Sequence, residues 1–499
     1  MMGRQQRIQR KLFYTKLNLD QRIRKDHILR KFAKHIDFDF IYKEVKENYG
    51  TNGNVSVPPP VILKTMLLLI LYNVRSEREL MSTIPERLDW LWFLGYDLDD
   101  EIPDHSVLSK ARARWGVDAF KTFFERIVWQ CVEAGLVDGS KLFMDSSMVQ
   151  ADASNNSVVN KESLKRYLNK SYQTLESRLE EESIISDNDE DIPKSGTNNK
   201  KYISTTDPDA SVVRRGKGKS KLQYQIHRSL DEKCEIITAT EVTPGEIHES
   251  HRMNSLRDSH HNNTGRKAEI VVADSKYGTR ENYLACHDLG IKAHFNSLEK
   301  TQRGSGRQKD IFPKEAFIYN PENDTFTCPA GHILRKRNYH KKRNHYEYKA
   351  SSKICANCKL RKKCTRAKDG RSIKRHVRQD ELDFMLKQAN SREGQNDIKT
   401  RQHLMERSFA RGTQYGFKRA RWRRLWRVQI QEYLTATIQN LMVLLRNIKE
   451  PAPALGMIPE ESGKKEAFLS LQELFYYFKR AIMRTIHFFF AYRLVETKL

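Results

Sequence analysis

The chain has 499 residues, 38% hydrophobic and 30% charged. At roughly 100–200 residues per domain this suggests two to four domains with ample length for a large core. Lys and Arg total 89 against 63 Asp and Glu, a formal net charge of +26. An excess of that size, clustered along the chain, argues against a merely soluble basic protein and for a polyanionic partner, nucleic acid first.

The basic start, Met1 to Lys34, lacks a continuous apolar stretch, so no secretory signal is expected. Residues 1–50 read as basic and helical. Pro58, Pro59 and Pro60 introduce a helix with Leu63, Met66, Leu67, Ile70 and Leu71 at three- and four-residue spacings. The apolar run Val61 to Val74 is too short to span a bilayer and reads as a buried helix. Pro85 and Pro103 stand near helix starts, and Asp104 or Ser106 caps a helix over Val107 to Trp115. Residues 1–135 are thus predicted to form an all-α N-terminal domain.

From about 139 the texture changes to a mixed α/β sheet domain, with its first part over 139–300. Lys141 to Met144 is a short apolar run ending at Asp145. Residues 155–203 are polar, with acids at Glu180, Glu181, Glu182, Asp187, Asp189, Glu190 and Asp191, and read as an acidic insert and linker. Leu222 to Leu230 and Ile236 to Val242 read as strands joined at Asp231–Glu232–Lys233. Ile270 to Ala273 is a buried strand stopping at Asp274. Glu281 to Asp288 is helical, with Gly290 as its C-cap, and Ile291 to Phe295 is another strand. Residues 305–380 form a small, basic, cysteine-rich insert. Helical patterns return over 381–450, the C-terminal part of the sheet domain, and Pro451 and Pro453 end that region. Residues 455–499 form an accessory helical tail, whose Lys479, Arg480 and Arg484 argue against a membrane span.

Three acids carry the chemistry. Phosphodiester hydrolysis and strand transfer need a nucleophilic and a leaving oxygen on opposite sides of phosphorus. Two divalent ions held by a few carboxylates serve both. The expected arrangement is an aspartate on one strand, a second at a neighbouring strand end, and a helical acid facing both. Asp145 follows Leu142–Phe143–Met144; Asp152, seven residues on, would point to the opposite face of a straight strand. Asp274 ends Ile270–Val271–Val272–Ala273, and strand ends in α/β sheets are where ligands bind. Glu406 is an acid amid Arg401, His403, Arg407 and Arg411. Each alone is an ordinary capping or surface acid; together, in a strongly basic chain, they form a candidate two-metal site.

These residues sit in a set of motifs that resembles the DDE transposases of bacterial insertion sequences, the group pairing an InsH-type N-terminal domain with an RNase H-like catalytic domain. The N-terminal part matches in Ser76–Glu77–Arg78–Glu79–Leu80, Trp92–Phe93–Leu94–Gly95 and Pro103–Asp104–His105–Ser106, followed by Arg112 and Arg114. The catalytic part matches in Met144–Asp145–Ser146–Ser147, Asp207–Pro208–Asp209–Ala210, Val242–Thr243–Pro244 and the turn Ala273 to Gly278. It closes in Glu406–Arg407–Ser408–Phe409, Arg419–Ala420–Arg421, and Gln429 to Asn440. The resemblance covers residues 35–450. It implies Asp145, Asp274 and Glu406 as the acidic triad, with two Mg2+ or Mn2+ ions. It also implies an N-terminal domain that helps bind terminal inverted repeats. The second-acid turn departs from the family pattern, and the family's basic residue after the glutamate is not obvious, with Gly412 and Thr413 in that region and Lys418 later. The implied activity is metal-dependent cleavage at the element's ends and strand transfer into target DNA, in a homodimer or larger synaptic complex, in the bacterial cytoplasm and not at a membrane. The competing readings are a standalone RNase H-fold nuclease and an inactive or domesticated DNA-binding protein.

Lys418, Arg419, Arg421, Arg423, Arg424 and Arg427 surround Trp422 and Trp426. The tryptophans are four apart, on one face if the segment is helical. The cations suit phosphates, and an aromatic ring suits an unstacked base. For Trp426, core anchoring is the stronger reading. Of seven cysteines, Cys131, Cys234 and Cys286 read as core residues. Cys328, Cys355, Cys358 and Cys364, or three of them with His332, have the donors for a tetrahedral structural zinc site, which would present Arg335, Lys336 and Arg337 to DNA.

Overall fold

The structure, a computed structural model, describes residues 2–3, 18–50, 54–162, 197–214, 218–296 and 311–448. The chain divides into two compact units, Met1–Ile448 and Lys449–Leu499, and every described residue belongs to the first. The acidic cluster at 180–191 and the tail at 455–499 lie outside the described residues.

Among the described residues, eight α-helices precede the first strand: α1 (Leu19–Arg22), α2 (Ile28–His35), α3 (Phe40–Glu44), α4 (Pro59–Leu71), α5 (Glu77–Thr83), α6 (Leu88–Leu94), α7 (Ser106–Trp115) and α8 (Asp118–Glu133). Pro59 and Pro60 open α4 where backbone N–H groups have no helical partner, so their missing donors cost nothing. The sequence reads this apolar run as a buried helix. The structure buries every residue of α4 but Lys64 and Leu71, as an all-round apolar helix requires. The Ser76 hydroxyl caps α5 by accepting from Glu79 N at 3.1 Å. Asp104 holds the start of α7, its Oδ1 accepting from Ser106 N at 2.8 Å.

The central sheet has the order β4 (Ser211–Val213), β5 (Lys221–Asp231), β1 (Lys141–Gln150), β7 (Ile270–Val272), β8 (Lys292–His294), with β6 (Ile237–Pro244) also paired to β5. A separate short ladder joins β2 (Val158–Asn160) and β3 (Tyr202–Ser204). Strand β1 is antiparallel to β5 and parallel to β7, so the sheet is mixed. The sequence suggested a strand ending at Asp145. Instead β1 continues to Gln150, because β5 pairs with it from Leu142 to Gln150. The apolar run marked only the half of β1 that is covered on both faces.

The helices after the first sheet strands are α9 (Thr197–Lys201), α10 (Met253–Thr264), α11 (Arg280–Asp288), α12 (Ser352–Ala356), α13 (Arg361–Cys364), α14 (Gln379–Ala389), α15 (Arg392–Gln414) and α16 (Leu425–Asn447). Leu142 and Met144 pack with residues of α10, α11 and α14 on one face of the sheet. Phe143 packs with Phe124, Leu404, Met405 and Ala436, from α8, α15 and α16, on the other. Ile430, Leu434, Ile438, Leu441 and Leu444 of α16 belong to the same core as the N-terminal helices. A second, five-stranded antiparallel sheet has the order β13 (Ser372–His376), β12 (His345–Lys349), β11 (Ile333–His340), β10 (Thr325–Thr327), β9 (Ile318–Asn320). Its small core is Phe317, Phe326, Leu334, Tyr348 and Ile373, with Cys328, Cys355 and Cys364 packed against it. No helix among the described residues is long and apolar enough to cross a membrane.

Candidate active site

The site lies where β1 outruns its parallel neighbour. Strand β7 pairs only with Lys141 to Phe143, so Asp145 stands beside the open end of β7. Asp274 follows that end directly and caps the 3-10 turn Ser275–Tyr277, its Oδ1 accepting from Lys276 N at 2.8 Å. Gly278 closes this turn against the Asn296 carbonyl; a Cβ there would collide with the carbonyl oxygen, so Gly278→Ala is expected to displace the segment carrying Asp274.

A further acid, Glu249, was not singled out from the sequence. Glu249 opens the 3-10 turn Glu249–Arg252 after β6 and is 3% exposed. One ligand oxygen each from Asp145, Glu249 and Asp274 lies within 4.8 Å of the others. Lys276 Nζ pairs with Glu249 Oε1, and the buried Glu249 Oε2 has no hydrogen-bond partner among the described residues. Arg401 of α15 donates to Asp145 Oδ2 at 2.6 Å and is 8% exposed. The buried Tyr277 hydroxyl also lacks a partner among the described residues, and burial, aided by the three acids, holds its pKa well above the usual phenol range.

Burial raises the Asp145 carboxyl from 3.8 to about 6; Arg401 opposes the rise, while Asp274 and Glu249 add to it. The native state therefore keeps this proton to higher pH than the unfolded chain does. Ionising Asp145 then costs metal-free stability as pH rises from about 4 to about 6. In chelator, the stability of wild type relative to Asp145→Asn is expected to fall across that window and level off above it. Melting temperatures at pH 4.5 and 7 test this; a difference independent of pH refutes it.

Glu406, the third acid predicted from sequence, is not part of this group. It is exposed on α15, its Oε1 accepting from Gln402 Nε2 at 3.1 Å. At about 100° per residue it leaves the helix roughly 140° around from Arg401. The inward face of α15 is instead anchored by polar contacts at successive turns. Asp397 bonds His294 Nδ1 at 2.7 Å and Lys141 Nζ at 2.9 Å, Arg401 bonds Asp145, and Ser408 accepts from Arg228. The neighbouring Arg407 and Arg411 pair with Glu235 at 2.9 Å each.

The basic, aromatic segment does not form the expected single helical face. Helix α16 begins at Leu425, after Arg424 at φ 79°, so Trp422 precedes it while Trp426 lies within it. The cause is local pairing. Ala420 N donates to Gln150 O at 2.8 Å, and Asp207 and Asp209 accept from the N–H groups of Arg424 and Leu425. Trp422 Nε1 donates to Glu77 at 3.0 Å, and the Arg112 guanidinium covers its ring at 4.0 Å. Arg421 donates to Val74 O and Asn73. These two side chains thus join the lead-in of α16 to the N-terminal helices. Arg419 and Arg423 pair with Asp152 at 2.9 and 3.3 Å, and Arg424 lies 3.7 Å from Asp209. Arg427 stacks over the partly buried Trp426, and Lys418 is exposed.

Cys328, Cys355, Cys358 and Cys364 line one cavity of about 30 Å³, together with His332, Arg361 and Arg371. Burial raises the Cys364 thiol, Arg371 opposes that, and the other three cysteines add to it. Among the described residues, the groups of three or more ligating side chains closing to within 4.8 Å are the acids above and His287, Asp288 and Glu381. Arg378 already bridges Asp288 and Glu381. Cys131 and Cys286 are buried and Cys234 is half-buried.

Two protein-family models match the chain. A transposase domain family (DUF772) matches residues 17–114, over the N-terminal helices. A transposase DDE domain family matches residues 327–445, which carry the four clustered cysteines, α15 with Arg401 and Glu406, and most of α16. The second match implies an RNase H-like fold. No curated protein matches the sequence.

Proposed function

Because the chain belongs to the DDE transposases of insertion sequences, enzymes that act on DNA with divalent metals, we propose that it cleaves the ends of its element and joins them to target DNA at the Asp145–Asp274 site. One observation carries this reading. Asp145, Asp274 and Glu249 converge to within 4.8 Å, and Glu249 keeps a buried carboxylate oxygen without a partner among the described residues. An all-oxygen donor set of this kind fits a hard divalent cation, magnesium or manganese.

In this reading Asp145 and Asp274 hold the metal, with Glu406 as the third acid implied by the resemblance and Glu249 a further carboxylate beside it. Bound in pairs, divalent ions supply Lewis acidity to the attacking and leaving oxygens of an in-line displacement at phosphorus. Arg401 keeps Asp145 oriented and favours its anionic form. Lys276 fixes Glu249. Lys418, Arg419, Arg423, Arg424 and Arg427 contribute positive charge toward the DNA backbone, whereas Arg421 and Trp422 hold the helices beneath them. The N-terminal helices help bind terminal inverted repeats, and two ends are held in a dimer or larger assembly in the cytoplasm. The test is magnesium-dependent cleavage and strand transfer on DNA carrying the element's ends. Specific end binding without cutting would favour a binding-only protein; cutting without joining, a nuclease.

The thiol cavity fits a structural zinc ion by its sulfur donors. Zinc measured on purified wild type is expected to be present and to fall in Cys355→Ser. A wild type free of zinc removes the assignment.

A further inference from the structure

The β11–β12 hairpin of the second sheet has a composition that its own fold does not require. From Arg335 to Asn344 every residue is exposed, and Arg335, Lys336, Arg337, Lys341, Lys342 and Arg343 fall in this stretch without an acid. Lys336 is used internally, bonding Asp324 at 3.0 Å and sitting 3.6 Å over the Tyr346 ring. The other five make no ion pair among the described residues. Strand β10 covers only Ile333 to Arg335 of β11, so the stretch from Lys336 to His340 is paired on the β12 side alone.

Cations on an uncovered edge have a structural use, since they block pairing with another strand. That explains Arg337, beyond the end of β10, but neither Arg335, which β10 covers, nor the tip. Lys341, Lys342 and Arg343 form a 3-10 turn beyond the ladder, where no edge needs protection. Three adjacent like charges there repel one another, a cost that a polyanionic partner offsets. The base of the hairpin is rigid, with Leu334 and Tyr348 buried in the core beside the cysteines. Two-stranded ribbons of this width are also accommodated by the major groove of duplex DNA.

We propose that the β11–β12 hairpin is a DNA-gripping arm that contacts the phosphates of duplex DNA independently of sequence, at a surface separate from the carboxylate site. The inference rests on the reading of the chain as a DNA-processing transposase, but it does not depend on the metal site.

The experiment uses the full chain without added magnesium or manganese, where no cutting is expected, and a random-sequence duplex titrated at several salt concentrations. Wild type is compared with the triple variant Lys341→Gln, Lys342→Gln, Arg343→Gln and, separately, with Arg335→Gln, Arg337→Gln. Loss of three phosphate contacts lowers the slope of log K against log salt by about 2.7 for B-DNA, and the same drop is expected on element ends and on random sequence. An unchanged slope and affinity in the triple variant overturns the proposal. A strand variant that aggregates while binding DNA as wild type does overturns the part of the grip assigned to Arg335 and Arg337 and confines it to the tip. Failure of wild type to cut in magnesium bears on the catalytic reading and leaves this result standing.

Discussion

Asp145→Asn and Asp274→Asn are each expected to abolish end cleavage and strand transfer while leaving DNA binding within a few-fold of wild type. Asparagine keeps the shape of the carboxylate but removes the charge that holds a divalent cation. A loss of about 10³-fold or more, roughly 4 kcal/mol of transition-state stabilisation, is the expected scale. The informative comparison is between the two glutamates. Glu249 is buried beside both aspartates, whereas Glu406 is exposed on α15. If Glu406 closes on the site only with DNA and metal in place, Glu406→Gln loses chemistry as fully as the aspartate variants. Glu249→Gln then shows weaker metal affinity that excess magnesium restores. If Glu249 is the third ligand, the two outcomes exchange. Full activity in Asp145→Asn or Asp274→Asn refutes the site itself.

Both aspartates were legible because each follows a run of apolar residues, Leu142 to Met144 and Ile270 to Ala273, whose burial drives strand formation. For Asp274 the apolar run also marks the strand end; Asp145 instead stands inside β1, just past the point where pairing with β7 stops. Glu249 had no such flag. It sits in a 3-10 turn after Pro244 and Gly245, with no run of apolar residues leading up to it. A buried glutamate is recognisable only once Lys276, 27 residues away, is seen to pair with it. The same limit hid the role of Arg401. In sequence it is one of several cations around Glu406; in space its separation from Asp145 is 2.6 Å across 256 residues of chain. Trp422 and Trp426 fail differently. Four-residue spacing predicts a shared face only inside a helix, and the carboxylates of Asp207 and Asp209 start α16 between them.

Glu432→Leu is expected to be among the most destabilising single changes in the protein. Arg228 is fully buried on β5, opposite Asp145 in the ladder, and its guanidinium makes a two-pronged contact with Glu432 of α16 at 2.6 and 3.0 Å. Thr240 donates to the same carboxylate at 2.8 Å, and Phe409 and Phe417 flank the guanidinium. Removing the carboxylate leaves a buried cation uncompensated, a loss of about 3–5 kcal/mol, read as a lower denaturant midpoint. The double variant Arg228→Met, Glu432→Leu removes both charges and is expected to recover most of that loss, because apolar side chains of similar volume avoid the desolvation cost. Activity then separates two roles for the pair. Arg228 also donates to the carbonyl and hydroxyl of Ser408, so it ties α15 to the strand beside Asp145. A double variant as stable as wild type yet slow in cleavage, with unchanged DNA affinity, identifies Arg228 as the residue that positions α15, and with it Arg401, over the carboxylates. Equal stability with full activity confines the pair to holding the fold. The first outcome is expected, since the apolar replacements restore burial but supply no donor to Ser408.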